Sequence, residues 1–157
     1  ILTIAFVTIG LYVLVQDGDL EYSPNDILTL LQIQKTLGES GATYGTRYRS
    51  EGQFKLKDLL FKQNSKQSWT PFLFNSILTV IFFLRNRVWI TDLLTGYKIY
   101  PRSLFRNWQP VNEGFETDHE ITNRIISLNM QILEVPVKYS PRSKREGKKI
   151  GTICLES

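Results

Sequence analysis

The sequence predicts an α/β domain, and three stretches carry that expectation. Residues 11–15 are a short continuous apolar run of the kind that forms a fully buried strand. The run gives way through Gln-Asp-Gly-Asp to residues 26–37, where Ile27, Leu28, Leu30, Leu31 and Ile33 recur at helical spacing. Near the other end, residues 132–139 alternate between Leu133, Val135, Val137, Tyr139 and Ile132, Glu134, Pro136, Lys138. That pattern describes a half-buried strand, and Pro136 places it at a sheet edge.

Taken in order, residues 1–9 read as the end of a helix, separated from the first strand by Gly10. Ser23 is the expected N-cap of the following helix, with Pro24 at its first position and Gly38 as its stop. Residues 42–44 are a second short strand, and residues 47–66 a basic, polar loop with one helical turn. Residues 69–84 are apolar on nearly every face, from Pro71 near the start to Arg85, Asn86 and Arg87 at the end. Two readings of this helix stay open, a core element or one lying in a membrane interface. Residues 90–100 contain Gly96 and end at Pro101, and residues 121–128 show helical spacing after Glu116, Asp118 and Glu120.

Composition narrows the class. A chain of 157 residues supports one core, and 42% hydrophobic with 22% charged residues excludes a disordered or collagen-like polymer. The single cysteine, Cys154, excludes an internal disulfide framework and a multi-thiolate zinc site, which favours the cytosol. The net charge of +4 permits an anionic partner, and residues 142–149 concentrate Arg142, Lys144, Arg145, Lys148 and Lys149 against Glu146 alone. No nucleic-acid motif accompanies them, so nucleic acid is not expected as a partner. Residues 1–15 and 72–84 are free of charge, but each is shorter than the roughly 17 to 25 residues that span a bilayer. The chain opens on Ile1 in mid-pattern, so an N-terminal portion is expected to precede it.

The sharpest chemical signal is Asp17-Gly-Asp19-Leu-Glu21, at the carboxyl end of the first strand. Open α/β sheets place their ligand crevice there, and carboxylates at i and i+2 can converge on one hard cation where a strand turns. An Asp-Gly turn with solvated carboxylates is the competing reading. Asp92 stands ahead of Gly96 as either a helix N-cap or a crevice carboxylate. Glu116, Asp118 and Glu120 cluster at a helix start, where negative charge is ordinary; Glu120 can pair with Arg124, or one carboxylate can face the crevice as a general base. Arg47 and Arg49 are guanidinium candidates for forked phosphate contacts.

Five blocks, Tyr12-Val-Leu-Val-Gln-Asp-Gly-Asp-Leu-Glu-Tyr-Ser-Pro, Tyr44-Gly-Thr-Arg-Tyr, Thr91-Asp-Leu-Leu-Thr-Gly-Tyr-Lys, Gly114-Phe-Glu-Thr-Asp-His-Glu-Ile, and Glu134-Val-Pro-Val-Lys-Tyr-Ser-Pro-Arg-Ser with Glu146-Gly-Lys-Lys-Ile, stand in one order along the chain. Together they resemble the family 2 glycosyltransferases, and within them the dolichyl-phosphate mannose and polyprenyl-phosphate sugar synthases. The resemblance implies an incomplete GT-A fold, Rossmann-like, with a central mixed sheet flanked by helices and without the family's first nucleotide-binding strands. It implies a metal-dependent, inverting hexose transfer from a nucleotide sugar to a polyprenyl phosphate at the cytoplasmic face of a membrane. Asp17 and Asp19 match the family's metal-binding motif for Mg²⁺ or Mn²⁺, and Glu21 a further position near the metal. Arg47, Arg142 and Lys148 match positions that face donor or lipid phosphates. Asp92, Glu116 and Asp118 are the carboxylates expected to orient reacting groups. Two alternatives remain: a family member acting on a cell-wall or capsule polysaccharide hydroxyl, with Asp118 as base, and a non-catalytic phosphate- or lipid-binding fragment.

Overall fold

The computed structural model describes residues 4–48, 69–111 and 115–141. In chain order the elements are β1 (Ile4–Ile9), β2 (Tyr12–Asp17), α1 (Asp26–Leu37), β3 (Gly41–Thr46), α2 (Trp69–Asn86), β4 (Tyr97–Pro101), α3 (Phe115–Ser127) and β5 (Gln131–Pro136), with a 3-10 turn at Arg102–Phe105. The strands form one mixed sheet in the order β1-β2-β4-β3-β5. Only β3 and β5 pair parallel; the other neighbours are antiparallel. Because β4 runs against both β2 and β3, those two strands share a direction, and β5 shares it with β3. The carboxyl ends of β2, β3 and β5 therefore meet along one edge of the sheet, beside the amino end of β4.

Alternation along the strands distributes two cores. Leu14, Tyr97 and Ile99 point to one face and pack with Leu30 of α1, flanked by Ile27 and Leu31. Val13, Ala42, Tyr44 and Tyr100 point to the other and pack with Phe82 of α2 and Ile121 and Ile125 of α3. The sheet is thus covered on both faces, which is why β3 and β4 are buried along their whole length. The seam between α1 and β3 is also polar: Thr43 Oγ1 donates to Gln34 Oε1 at 2.9 Å, and Gln34 Nε2 donates to Gly41 O at 2.9 Å. A buried amide satisfied in this way fixes the height of α1 on the sheet.

Several expected boundaries move. Residues 4–9 are a strand and not a helix end: β1 forms a hairpin with β2, joined by Gly10 and Leu11 with Gly10 at φ 58. A uniformly apolar run has no period of its own, and here strand pairing decides its conformation. Leu11, read as the start of the buried strand, is a hairpin-turn residue and 71% exposed. The first helix begins at Asp26, preceded by Asn25, which makes no side-chain cap bond, while Ser23 O and Pro24 O accept the Asp26 and Ile27 amides in a preceding turn. Gly38 ends that helix at φ 59, as expected. β5 lies at the sheet edge, where Pro136 placed it.

α2 is amphipathic in the reverse sense. Its inward residues include Asn75, Thr79 and Phe82, whereas Leu73, Phe74, Ile77, Val80, Ile81 and Leu84 are exposed. The inward polar strip has a purpose, since Asn75 Nδ2 donates to Thr91 O at 2.8 Å and so anchors the loop before β4. No helix among the described residues is long and apolar enough to cross a membrane.

Candidate functional site

The acidic turn sits at the carboxyl edge of the sheet. The Asp17 amide donates to Gly96 O at 3.1 Å, pinning the last residue of β2 against the approach to β4. Gly96 packs so close that a Cβ there would lie 2.6 Å from Asp17 Oδ2, so only glycine leaves that carboxylate in place. The Gly96 amide in turn donates to the Tyr22 hydroxyl at 2.9 Å. Beyond Asp17 the chain turns sharply: Leu20 has φ 62, and Asp19 Oδ1 accepts the Glu21 amide at 3.0 Å. Asp17 and Asp19 are half-buried. Glu21 is 4% exposed and accepts the Tyr139 hydroxyl through Oε2. Glu21, expected near the metal, ties this turn to the chain after β5, a link repeated by the Tyr22–Tyr139 bridge and the Ser140 amide on Glu21 O.

Burial raises the pKa of Asp17 above the ordinary carboxylate value; Asp19, and less strongly Glu21 and Asp118, raise it further, and Arg47 partly offsets them. Three other carboxylates thus act on Asp17, and negative charge gathered in this way is what a divalent cation relieves. Among the described residues no group of three or more His, Cys, Asp or Glu side chains is gathered around a metal position. Two half-buried carboxylates nevertheless fit Mg²⁺ or Mn²⁺, which is commonly held by one or two carboxylates with substrate phosphates completing the shell. Asp17 and Asp19 would hold it.

Arg47, the first residue after β3, is committed to Asp92. Its Nε donates to Asp92 Oδ2 and its Nη2 to Asp92 Oδ1, both at 2.7 Å, and its backbone amide reaches Oδ2 at 3.0 Å. The Asp92 side chain is 0% exposed and that of Arg47 12%. Burial opposes the guanidinium charge, yet Asp92 more than compensates and holds its pKa above the ordinary arginine value. The rings of Tyr48 and Tyr139 each lie 5.2 Å from the guanidinium carbon. Asp92 is therefore neither a helix cap nor a crevice carboxylate. Both its oxygens hold Arg47.

Glu134 of β5 braces this pair. One oxygen, Oε1, accepts the Thr91 amide at 2.8 Å, the Thr91 hydroxyl at 2.9 Å and the Asp92 amide at 3.0 Å. Burial raises the pKa of Glu134, and the three donors pull it back. Sequence reading assigned Glu134 only to one face of a strand; nothing in the pattern separates a braced edge carboxylate from a solvated one.

α3 supplies the remaining acids. Asp118 pairs through Oδ2 with Lys98 of β4, and its side chain is 29% exposed. Glu116 is exposed, with no place among the groups that act on Asp17. Arg124 Nε donates to Leu104 O and stacks on Trp108, while Glu120 Oε2 accepts the Val111 amide. Arg142 and Lys148, with the whole basic segment, lie outside the described residues, as does Arg49. A cavity of about 520 Å³ lined by Leu11, Arg102, Phe105 and Arg106 lies at the opposite end of the sheet and takes no part in this arrangement.

The raised pKa of Asp17 sets a pH dependence. Protonated Asp17 favours the fold below the unfolded-state value of 3.8, and this contribution is lost as pH rises through the higher folded-state value. At neutral pH the ionised carboxylate opposes folding, so Asp17→Asn is expected to raise the thermal midpoint there. The gain should shrink to nothing as pH falls below about 3.8, in melts followed by circular dichroism.

No protein-family model matches the chain. No solved structure matches it. Among curated proteins, an uncharacterized protein of Shigella flexneri is 32% identical to it over 60 residues. That alignment covers 38% of this chain and 37% of the relative, so the chain spans little more than a third of the protein it is similar to.

Proposed function

We propose that this chain forms the metal- and phosphate-binding edge of a family 2 glycosyltransferase of the GT-A fold. The reaction is an inverting transfer of a hexose from a nucleotide sugar to a polyprenyl phosphate at the cytoplasmic face of a membrane. One observation carries the reading: Asp17 and Asp19, half-buried at the carboxyl edge of the sheet, bring two negative charges to one turn, while Asp92, Asp118, Glu21 and Glu134 each hold a partner elsewhere. A bound Mg²⁺ or Mn²⁺ supplies charge neutralisation at the donor diphosphate, favouring departure of the nucleotide. The protein's own part is positional. Asp17 and Asp19 fix the cation, and Arg47, rigidly aimed by Asp92, offers Nη1 to a phosphate oxygen. A phosphate acceptor is already anionic, so orientation and neutralisation matter more than a strong base.

The outward face of α2 supports the membrane part of this reading. Six large apolar side chains are exposed on it, and exposed Arg85 and Arg87 follow at its end, a pattern suited to lying on an anionic bilayer. A second reading, transfer to a polysaccharide hydroxyl with Asp118 as base, is favoured by one feature. Asp118 keeps Oδ1 nearly free, its described contact being the Tyr100 hydroxyl at 3.4 Å. Glu116 has no assigned part in either reading.

Two measurements test the proposal. Calorimetric titration with Mn²⁺ and a panel of nucleoside diphosphates should show binding that Asp17→Ala and Asp19→Ala each weaken at least tenfold. Binding unchanged by both substitutions removes the metal assignment and leaves a non-catalytic phosphate- or lipid-binding chain. Co-sedimentation with anionic phospholipid vesicles should be strong for the native protein and several-fold weaker for Ile77→Ser/Ile81→Ser at an unaltered thermal midpoint. Equal binding by the two proteins removes α2 as the membrane contact.

A further inference from the structure

Lys98 lies at the middle of the sheet, on β4, in register with Val15 of β2 and Tyr44 of β3. It is 0% exposed, and a buried ammonium is tolerated only when its donors are satisfied. Nζ donates to Leu93 O at 2.9 Å and to Asp118 Oδ2, and the Tyr44 ring, its centre 4.8 Å away, adds a cation–π contact. The Tyr44 hydroxyl bonds Thr122 Oγ1 at 2.8 Å, and Thr122 Oγ1 donates to Asp118 O at 2.9 Å. One central lysine and the tyrosine beneath it thus tie the first turn of α3 to the sheet at both the side chain and the backbone of Asp118.

The pair is asymmetric. A purely structural ion pair in a core hides both partners, whereas this one hides the cation completely and leaves the carboxylate side chain 29% exposed. Lys98 is wholly buried and so out of a ligand's reach, while Asp118 is partly exposed and its Oδ1 meets the Tyr100 hydroxyl at 3.4 Å. The charge of Asp118 also acts on Asp17, which places this partly exposed carboxylate within the field of the acidic turn.

We infer that Lys98 is a positioning residue that holds the Asp118 carboxylate at the crevice, with Oδ2 anchored inward and Oδ1 presented to the acceptor. This deepens the second reading above, transfer to a hydroxyl acceptor, and rests on that reading for its catalytic consequence. The geometric half stands independently. Lys98 never meets substrate; it acts through Asp118.

Two readouts of the full chain test it. In the crystal structure of Lys98→Met, which retains an unbranched side chain of similar length, the Asp118 carboxylate should leave its position and turn toward solvent. An Asp118 carboxylate that stays in place overturns the inference whatever the activity. In kinetics, Lys98→Met should lower kcat at least tenfold with donor KM within twofold of native, and combination with Asp118→Asn should be no worse than Asp118→Asn alone. Independent, multiplying losses, or a folded Lys98→Met with native kcat, also overturn it. Lys98→Gln, which keeps a donor for Leu93 O, serves both measurements if the methionine variant does not fold. A native protein with no transfer activity and no binding of Mn²⁺ and a nucleoside diphosphate, together with a displaced Asp118 in the variant, removes the transferase reading and keeps the positioning contact.

Discussion

The forked ion pair between Arg47 and Asp92 is the constraint on which the carboxyl edge of the sheet depends. Asp92 is wholly buried, and removing its partner would leave an uncompensated charge at a cost of about 3–5 kcal/mol. That cost fixes the end of β3 against the loop before β4. Glu134 extends the same constraint to β5 by gathering Thr91 and Asp92 on one oxygen, and Asn75 extends it to α2 through Thr91 O. Three strand ends and a helix are thereby held by one chain of polar contacts, each a charged group or a buried amide that cannot be relocated cheaply.

The arrangement divides the acidic residues into two kinds. Asp92, Glu21 and Glu134 are turned inward and spent on a guanidinium, a phenol and backbone amides respectively. Asp118 is half spent, with Lys98 taking one oxygen. Asp17 has the charge of Asp19 beside it, only partly offset by Arg47, and Gly96, by lacking a Cβ, leaves its carboxylate in place.

Much of the scaffold was readable from residue patterns: the short apolar strand before the acidic turn, the helix stopped by Gly38, and the edge strand marked by Pro136 all depend on local chemistry. β1 was not, because a run of apolar residues without polar punctuation takes its conformation from the strand it pairs with. At the site, the carboxylates of the acidic turn could be singled out because their spacing is itself a signal. Their division of labour could not. Glu21 looks like a neighbour of Asp19 in sequence but faces Tyr139, more than a hundred residues away. Asp92 and Arg47 were separate candidates for separate tasks, and only their burial together shows that one holds the other. Lys98 and Glu134 are single charges inside apolar strands, and pairing across the sheet gives them meaning.

The most direct test is anomalous X-ray scattering from crystals of the protein grown with Mn²⁺ and a nucleoside diphosphate. The account requires a manganese peak between the carboxylates of Asp17 and Asp19, with diphosphate density on its open side and Arg47 still forked on Asp92. A manganese peak elsewhere, or diphosphate bound with Arg47 withdrawn from Asp92, would contradict it.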